Sequence, residues 1–159
     1  MNRNRHTCLV AFLAVTCLTL ATAEFARSEP PAPDAAAIGA AVDDFHQALT
    51  AGDSKRVMSL LLPDALIVEA GTVQTRAEYG SEHLGEDIAF ARELSGKQTS
   101  RRVQQAGDVA WVTTTFRVTG KFHDKPINNL AAETAVLTRT ADGWRIRTLH
   151  WSSHKATKD

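Results

Sequence analysis

From residue 35 onward, apolar residues recur at three- and four-residue steps, the spacing of one face of an α-helix. The apolar set is Ile38, Ala41, Val42, Phe45, Ala48 and Leu49. Gly52 follows where a helix would end, and Asp53 is placed to cap a second, shorter helix that Pro63 would end. The pattern predicts two amphipathic helices in succession.

The next segment predicts one buried strand and then more helix. Residues 65–68 are uniformly apolar, as in a strand covered on both faces. Thr75 and Glu78 have the spacing of a capping box and would open a helical segment that breaks near Gly80. A further helix is predicted over residues 81–94, with Leu84, Ile88 and Ala91 on one stripe.

The rest of the chain changes period. Its segments are rich in Val, Thr, Trp and Phe and are separated by short Gly- and Asp-containing turns. The predicted strands cover residues 97–105, 109–120, 126–140 and 144–152. Helices first and a hairpin sheet afterwards predict an α+β domain, with the helices packed on one face of a curved antiparallel sheet.

The N-terminal segment predicts export. Arg3 and Arg5 precede an uncharged apolar run over residues 8–20, which is followed by a small-x-small cleavage pattern ending at Ala23. The run is too short to span a membrane. We therefore expect a signal peptide over residues 1–23, a periplasmic or secreted location, and no membrane association after cleavage.

Cleavage at that point would leave a Pro-rich leader over residues 24–34, one domain over residues 35–154 and a tail over residues 155–159. Both cysteines, Cys8 and Cys17, would be removed with the signal. The 18 Asp and Glu residues would all remain while two of the 18 Lys and Arg residues leave, for a net charge of −2. A near-neutral chain has no electrostatic reason to bind nucleic acid, so no such partner is expected.

Short motifs along the whole domain resemble those of the nuclear transport factor 2-like superfamily. They are Phe45-His-Gln-Ala48, Ala51-Gly-Asp53, Pro63-Asp64, Gly107-Asp-Val-Ala-Trp-Val112, Glu133-Thr-Ala-Val-Leu137, Gly143-Trp-Arg-Ile146 and His150-Trp-Ser-Ser153. The chain is most similar to the SnoaL-like, bacterial domain-of-unknown-function branch. The resemblance implies a cone-shaped barrel, with a pocket between sheet and helices, and often a homodimer through the outer face of the sheet.

The resemblance does not imply a reaction. The superfamily includes ketosteroid isomerases, epoxide hydrolases, polyketide cyclases, dehydratases and proteins that only bind or dimerise. Neither the acid, Tyr and Asp set of the isomerases nor the Asp-Arg-Asp set of the epoxide hydrolases transfers residue by residue onto this sequence.

Strand alternation predicts which side chains would enter the cone. It places Trp144, His150 and Ser152 on one face of the last strand, and Glu133 on the corresponding face of the preceding strand. A carboxylate among small and apolar neighbours is costly unless a partner offsets its charge. We therefore predict a Glu133–His150 pair as the candidate catalytic residues. Four residues are further predicted to line the pocket: His83, Tyr79, Trp144 and Ser152.

Each of these assignments has a structural alternative. Glu133 and His150 would equally form a hydrogen-bonded pair that joins two strands. His83 with Asp87, four residues apart, is typical of a local pair on a helix surface, and Tyr79 of a residue that packs between helices. His46 is assigned to a helix surface without a role.

No metal site and no cofactor are predicted, because His150 and His154 have helical spacing on what should be a strand. Three functions remain open. The first is binding of a small apolar molecule with a polar end. The second is a cofactor-free isomerase, cyclase or dehydratase with a His–Glu proton relay. The third is a structural dimerisation module without a ligand.

Overall fold

The computed structural model describes residues 33–157. The predicted signal peptide and most of the predicted leader lie outside them. The helices are α1 (Ala35–Ala51), α2 (Ser54–Leu60), α3 (Arg76–Glu78) and α4 (Leu84–Glu93), with a π-helical turn at Tyr79–His83 between the last two. The strands are β1 (Leu61–Glu69), β2 (Thr72–Thr75), β3 (Leu94–Ala106), β4 (Val109–Phe122), β5 (Lys125–Thr140) and β6 (Gly143–Lys155). None of the described helices is long and apolar enough to cross a membrane.

All six strands form one sheet in the order β2-β1-β6-β5-β4-β3. Every neighbouring pair is antiparallel except β1 and β6, which run parallel. The predicted α+β class with N-terminal helices on a curved, mostly antiparallel sheet is confirmed. The sheet curves but does not close, so β2 and β3 remain as its two edges.

The first helix forms and ends as its sequence predicts. Its buried residues are Ile38, Gly39, Val42, Phe45, Ala48 and Leu49. Gly52 ends it in the left-handed conformation at φ 78°, and its N–H donates to the Leu49 carbonyl. Asp53 then caps α2 by accepting a hydrogen bond from the Arg56 N–H at 2.9 Å. The apolar face of α1 therefore packs onto the sheet and against α4.

Pro63 does not end α2, which stops at Leu60, and lies inside β1. Two further expectations differ from the structure near the site. The Thr75–Glu78 capping box is present, but the helix does not break at Gly80: it widens into the π-helical turn and continues as α4. Residues 72–75 form the short strand β2, paired with β1, which the sequence pattern did not predict. Both features lie close to the residues that form the candidate site.

A β-bulge at Arg147 changes the face of the last strand. Val136 pairs with Thr148, whereas the next residue, Leu137, pairs with Ile146, so Arg147 has no partner in the register. Before the bulge Trp144 and Ile146 are buried, and after it Leu149 is buried. The inward positions therefore shift from even-numbered to odd-numbered residues along β6.

Candidate functional site

A cleft lies between the C-terminal half of α1, α4 and the inner face of β3 to β6. Its volume is about 290 Å³. Much of its wall is apolar and includes Leu49, Phe90, Leu94, Phe116, Val118 and Trp151. Three ionisable residues also line it: His46 from α1, Glu69 from the end of β1, and Asp87 from α4. The cleft is thus an apolar space with ionisable groups at separate points of its wall.

Glu133 has two polar neighbours at the wall nearest α1. Its side chain is fully buried, and Oε2 lies 2.8 Å from Nε2 of His46, an ion-pair distance without the geometry of a hydrogen bond. The same oxygen accepts a hydrogen bond from the Trp151 indole N–H at 2.7 Å. His46 is 34% exposed and reaches the cleft, whereas Glu133 lies behind it. The arrangement places a buried carboxylate behind a histidine ring that a ligand in the cleft would contact.

The second oxygen of Glu133 is not engaged. Oε1 has no hydrogen-bond partner within residues 33–157, and neither has the hydroxyl of Thr114, the residue paired with Glu133 on β4. A carboxylate that keeps an acceptor free can take a further hydrogen bond.

A second polar cluster, Glu69–His83–Asp87, lies where β1, the π-helical turn and α4 meet. His83 Nε2 is 3.5 Å from Asp87 Oδ1 and 3.7 Å from Glu69 Oε2. The Tyr79 hydroxyl, itself buried, donates to Asp87 Oδ2 at 2.9 Å. His83 Nδ1 lies 2.9 Å from the side-chain oxygen of Gln74. Elements distant in sequence thus bring two carboxylates to one imidazole.

The surroundings of this cluster favour protonation of its acids. Burial raises the pKa of Glu69 above its ordinary value, and the nearby charge of Asp87 adds to this effect. Burial likewise raises the pKa of Asp87, although the hydrogen bond from Tyr79 opposes the shift. Burial and the Asp87 charge raise the pKa of Tyr79, which stays a hydroxyl donor.

The structure does not bring Glu133 and His150 together. Glu133 pairs with Trp151 across β5 and β6, and His150 pairs with Thr134 and with Val68 of β1. His150 is exposed on the outer face of the sheet. The cause is the bulge at Arg147, because one extra residue reverses the faces of all positions after it.

Of the four residues predicted to line the pocket, one lies in the wall of the cleft and three do not. Ser152 lies in the wall of the cleft. His83 and Tyr79 are behind that wall and reach it through Asp87. Trp144 is buried away from the cleft, at 4% exposure, with the Arg139 guanidinium 4.6 Å from its ring centre.

His46 is the site residue that the sequence reading missed. The sequence pattern predicts a helix-surface residue without a role at this position, whereas the structure places His46 in the wall of the cleft. A signal was present, since His46 lies four residues after Val42 and three before Leu49. A polar residue at that spacing lies at the margin of the buried stripe and can reach the sheet.

Comparison with known proteins agrees with this architecture. The family model for the SnoaL-like domain matches residues 38–155. A proposed ketosteroid isomerase from Shewanella frigidimarina NCIMB 400 is 33% identical, with a TM-score of 0.70 over 73% of this chain and 94% of that one. A proposed dehydratase of the NTF2-like family from Streptomyces avermitilis is 24% identical, with a TM-score of 0.64 over 77% of this chain and 97% of that one.

A third similar structure is an assembly domain. The CaMKII hub from S. rosetta is 24% identical, with a TM-score of 0.67 over 78% of this chain and 99% of that one. No curated protein matches the chain. The family match, which covers most of the described domain, shows that the chain belongs to the SnoaL-like domain family, with the NTF2-like fold.

Proposed function

We propose that this protein binds a small, largely apolar molecule with a polar end in the cleft between α1, α4 and the sheet. The observation that carries the proposal is the lining of this cleft, apolar over much of its wall and ionisable at His46, Glu69 and Asp87. Small-molecule sites are commonly concave and apolar with a few polar groups that fix orientation. A carbonyl or hydroxyl group on an apolar skeleton fits this lining.

The binding proposal is tested by thermal unfolding with a ligand panel. Steroids, polyketide-like ketones, terpenoids and fatty acids are added to metal-free protein, and the melting temperature is recorded. A true ligand at a hundredfold excess over its Kd should stabilise the fold by about 2.7 kcal/mol. Ala131→Phe, which fills the cleft, should abolish the shift.

The matched control is Ala141→Phe, which adds the same ring in the exposed turn between β5 and β6. It should leave the shift intact. If no class of compound raises the melting temperature of the wild-type protein, the binding proposal fails and the third function, a structural module without a ligand, is favoured.

A second candidate is proton transfer on the bound molecule, as in an isomerase, cyclase or dehydratase. It is favoured by one contact, the 2.8 Å separation between His46 Nε2 and the buried Glu133 carboxylate. A carboxylate beside an imidazole fixes the orientation of the ring for proton transfer. In this version of the predicted His–Glu relay, His46 takes the place of His150. The similar structures described as a proposed ketosteroid isomerase and a proposed dehydratase are consistent with it.

Two further proposals concern location and assembly. Export is supported by the basic start, apolar run and small-x-small pattern of residues 1–23. The chain recovered outside the cytoplasm should then begin at Glu24, as N-terminal sequencing would show.

A homodimer through the outer face of the sheet is supported by the residues of that face. Those at its centre are Trp111, Thr113, Thr134, Val136, Thr148 and His150, among which there is no Asp, Glu, Lys or Arg. Arg102 and Arg145 lie beyond this centre on the same face. An uncharged centre with a charged margin is typical of a surface that another molecule covers. The similar hub structure is an example of this fold in an assembly role.

A further inference from the structure

The Glu69–His83–Asp87 cluster converges on one point beside the cleft. Each residue offers one ligand atom, and the three atoms lie within 4.8 Å of one another. Glu69 is the last residue of β1, His83 the last of the π-helical turn, and Asp87 lies one turn later on α4. Two of the three ligands are therefore fixed on regular elements, and the third ends a hydrogen-bonded turn.

The separations within the cluster do not fit direct hydrogen bonds. At 3.5 and 3.7 Å, His83 Nε2 is too far from the two carboxylate oxygens for a good N–H···O bond. Zn²⁺ holds nitrogen and oxygen ligands at about 2.0–2.2 Å, so two ligands of a tetrahedral site lie about 3.4 Å apart. The observed separations match the edge of such a tetrahedron more closely than they match a hydrogen bond.

A second layer of residues aims the ligand atoms. In the neutral ring, the contact with Gln74 Oε1, which only accepts, places the His83 proton on Nδ1 and leaves the Nε2 lone pair toward the carboxylates. The Tyr79 hydroxyl holds Asp87 Oδ2 and leaves Oδ1 toward His83. Metal-binding histidines and carboxylates are commonly oriented by such outer partners.

The charge balance of the cluster is also incomplete. Within residues 33–157, His83 is the one basic side chain within ion-pair distance of Glu69 or Asp87. Two partly buried carboxylates beside one imidazole repel each other, and a divalent cation between them would remove that repulsion.

We propose that Glu69, His83 and Asp87 bind a divalent transition-metal ion, with Zn²⁺ favoured by the mixed nitrogen and oxygen ligands. The three protein ligands leave a fourth tetrahedral position. Since Glu69 and Asp87 line the cleft, that position faces it and takes water or the polar end of a bound molecule. The metal site does not depend on the organic ligand proposed above, because the ion alone tests it.

The test is a titration of the untagged, EDTA-stripped protein with Zn²⁺ by calorimetry and with Co²⁺ by visible absorption. We expect one ion per chain. His83→Gln, Asp87→Asn and Glu69→Gln should each weaken binding by at least about tenfold, and Tyr79→Phe should weaken it by about tenfold through loss of orientation. Circular dichroism checks that each variant is folded. If His83→Gln or Asp87→Asn does not fold, the comparison with wild type is made with Glu69→Gln.

Matched controls come from the same region. Glu86→Gln removes a carboxylate one residue from Asp87, and His123→Gln removes the exposed imidazole near Glu86; both should leave the affinity within about twofold of wild type. Absence of saturable binding to the wild type, or binding that survives His83→Gln and Asp87→Asn unchanged, overturns the proposal. The ligand panel uses metal-free protein and the titration uses the ion alone, so either site can fail without the other.

Discussion

His46 occupies the position beside Glu133 that strand alternation assigned to His150. The contact joins a helix to a sheet across 87 residues of sequence, and no local pattern in either segment predicts it. The enclosure of Glu133 was predictable, because alanines flank it on its own face of β5, and its exposure is 1%. Its partners were not, because they depend on how α1 lies over the sheet.

A substitution of His46 shows whether its contact with Glu133 serves proton transfer or only holds the structure. His46→Gln keeps a side-chain donor for Glu133 but has no ring nitrogen to accept a proton. If His46 transfers the proton, turnover of a ligand found in the thermal screen should fall by about 10²- to 10⁴-fold. The melting-temperature shift given by that ligand should remain, because the fold and the cleft are retained.

His150→Gln is the control, since His150 lies on the opposite face of the sheet. The His150→Gln variant should turn over the ligand at the wild-type rate. Full turnover by His46→Gln would exclude the relay and leave binding as the function of the cleft.

Among the elements, the long strands and the first two helices follow from apolar period and turn residues. The strand β2 and the parallel pairing of β1 with β6 were not predictable in the same way. β2 has four residues and no strong alternation, and β1 and β6 are separated by most of the domain. Pairing over such distances is set by the packing of the whole sheet, which periodicity does not report.

The bulge in β6 is the element-scale feature with the largest effect on the site. A strict period of two gives the correct inward residues up to Ile146 and the wrong ones at Thr148 and His150. No Gly or Pro marks Arg147 as the extra residue, and its side chain is engaged with Asp64 and Thr138 on the surface. The sequence therefore holds no local signal for the bulge.

Deleting Arg147 should remove the bulge and keep the faces of β6. Its neighbours Ile146 and Thr148 pair with the consecutive residues Leu137 and Val136, so joining them gives a regular strand in which Leu149 and Trp151 still face inward. We expect the variant to fold, and its free energy of unfolding, measured by urea denaturation, to fall by less than about 3 kcal/mol.

The matched change is Arg147→Ala, which keeps the bulge and removes two exposed contacts. It should cost less than about 1 kcal/mol. A deletion variant that does not fold would contradict this account, because it would show that the residues after Thr148 need the bulge to keep their faces.

For the whole molecule, the α+β class and the position of the helices on one face of the sheet were predictable from the sequence. Apolar residues have helical spacing in the first part of the chain and strand spacing in the second. The open edges at β2 and β3 were not, since closure depends on strand tilt and stagger. The surface of the proposed dimer was not predictable either. It combines residues of three strands, and the sequence of no single strand indicates it.

A charge at the centre of the outer face tests the dimer. Thr134 lies between Thr113 and His150 in the middle of the sheet. Thr134→Arg should shift the mass measured by light scattering from two chains to one, because an unpaired buried guanidinium is costly at an interface. Gln47→Arg, on the exposed side of α1, should leave the mass at two chains. A wild-type protein that is monomeric at all concentrations would contradict the proposal.

The hydrogen bond between Trp151 and Glu133 makes the fluorescence of Trp151 a reporter of the state of the cleft. The chain has three tryptophans, of which Trp111 bonds Gln104 and Trp144 is buried under Arg139; of the three, Trp151 lines the cleft. Its indole lies against a carboxylate and a ring of α1, so its emission responds to whatever displaces water there or moves His46. Occupancy of the cleft can then be followed without a dye, a label or a known reaction.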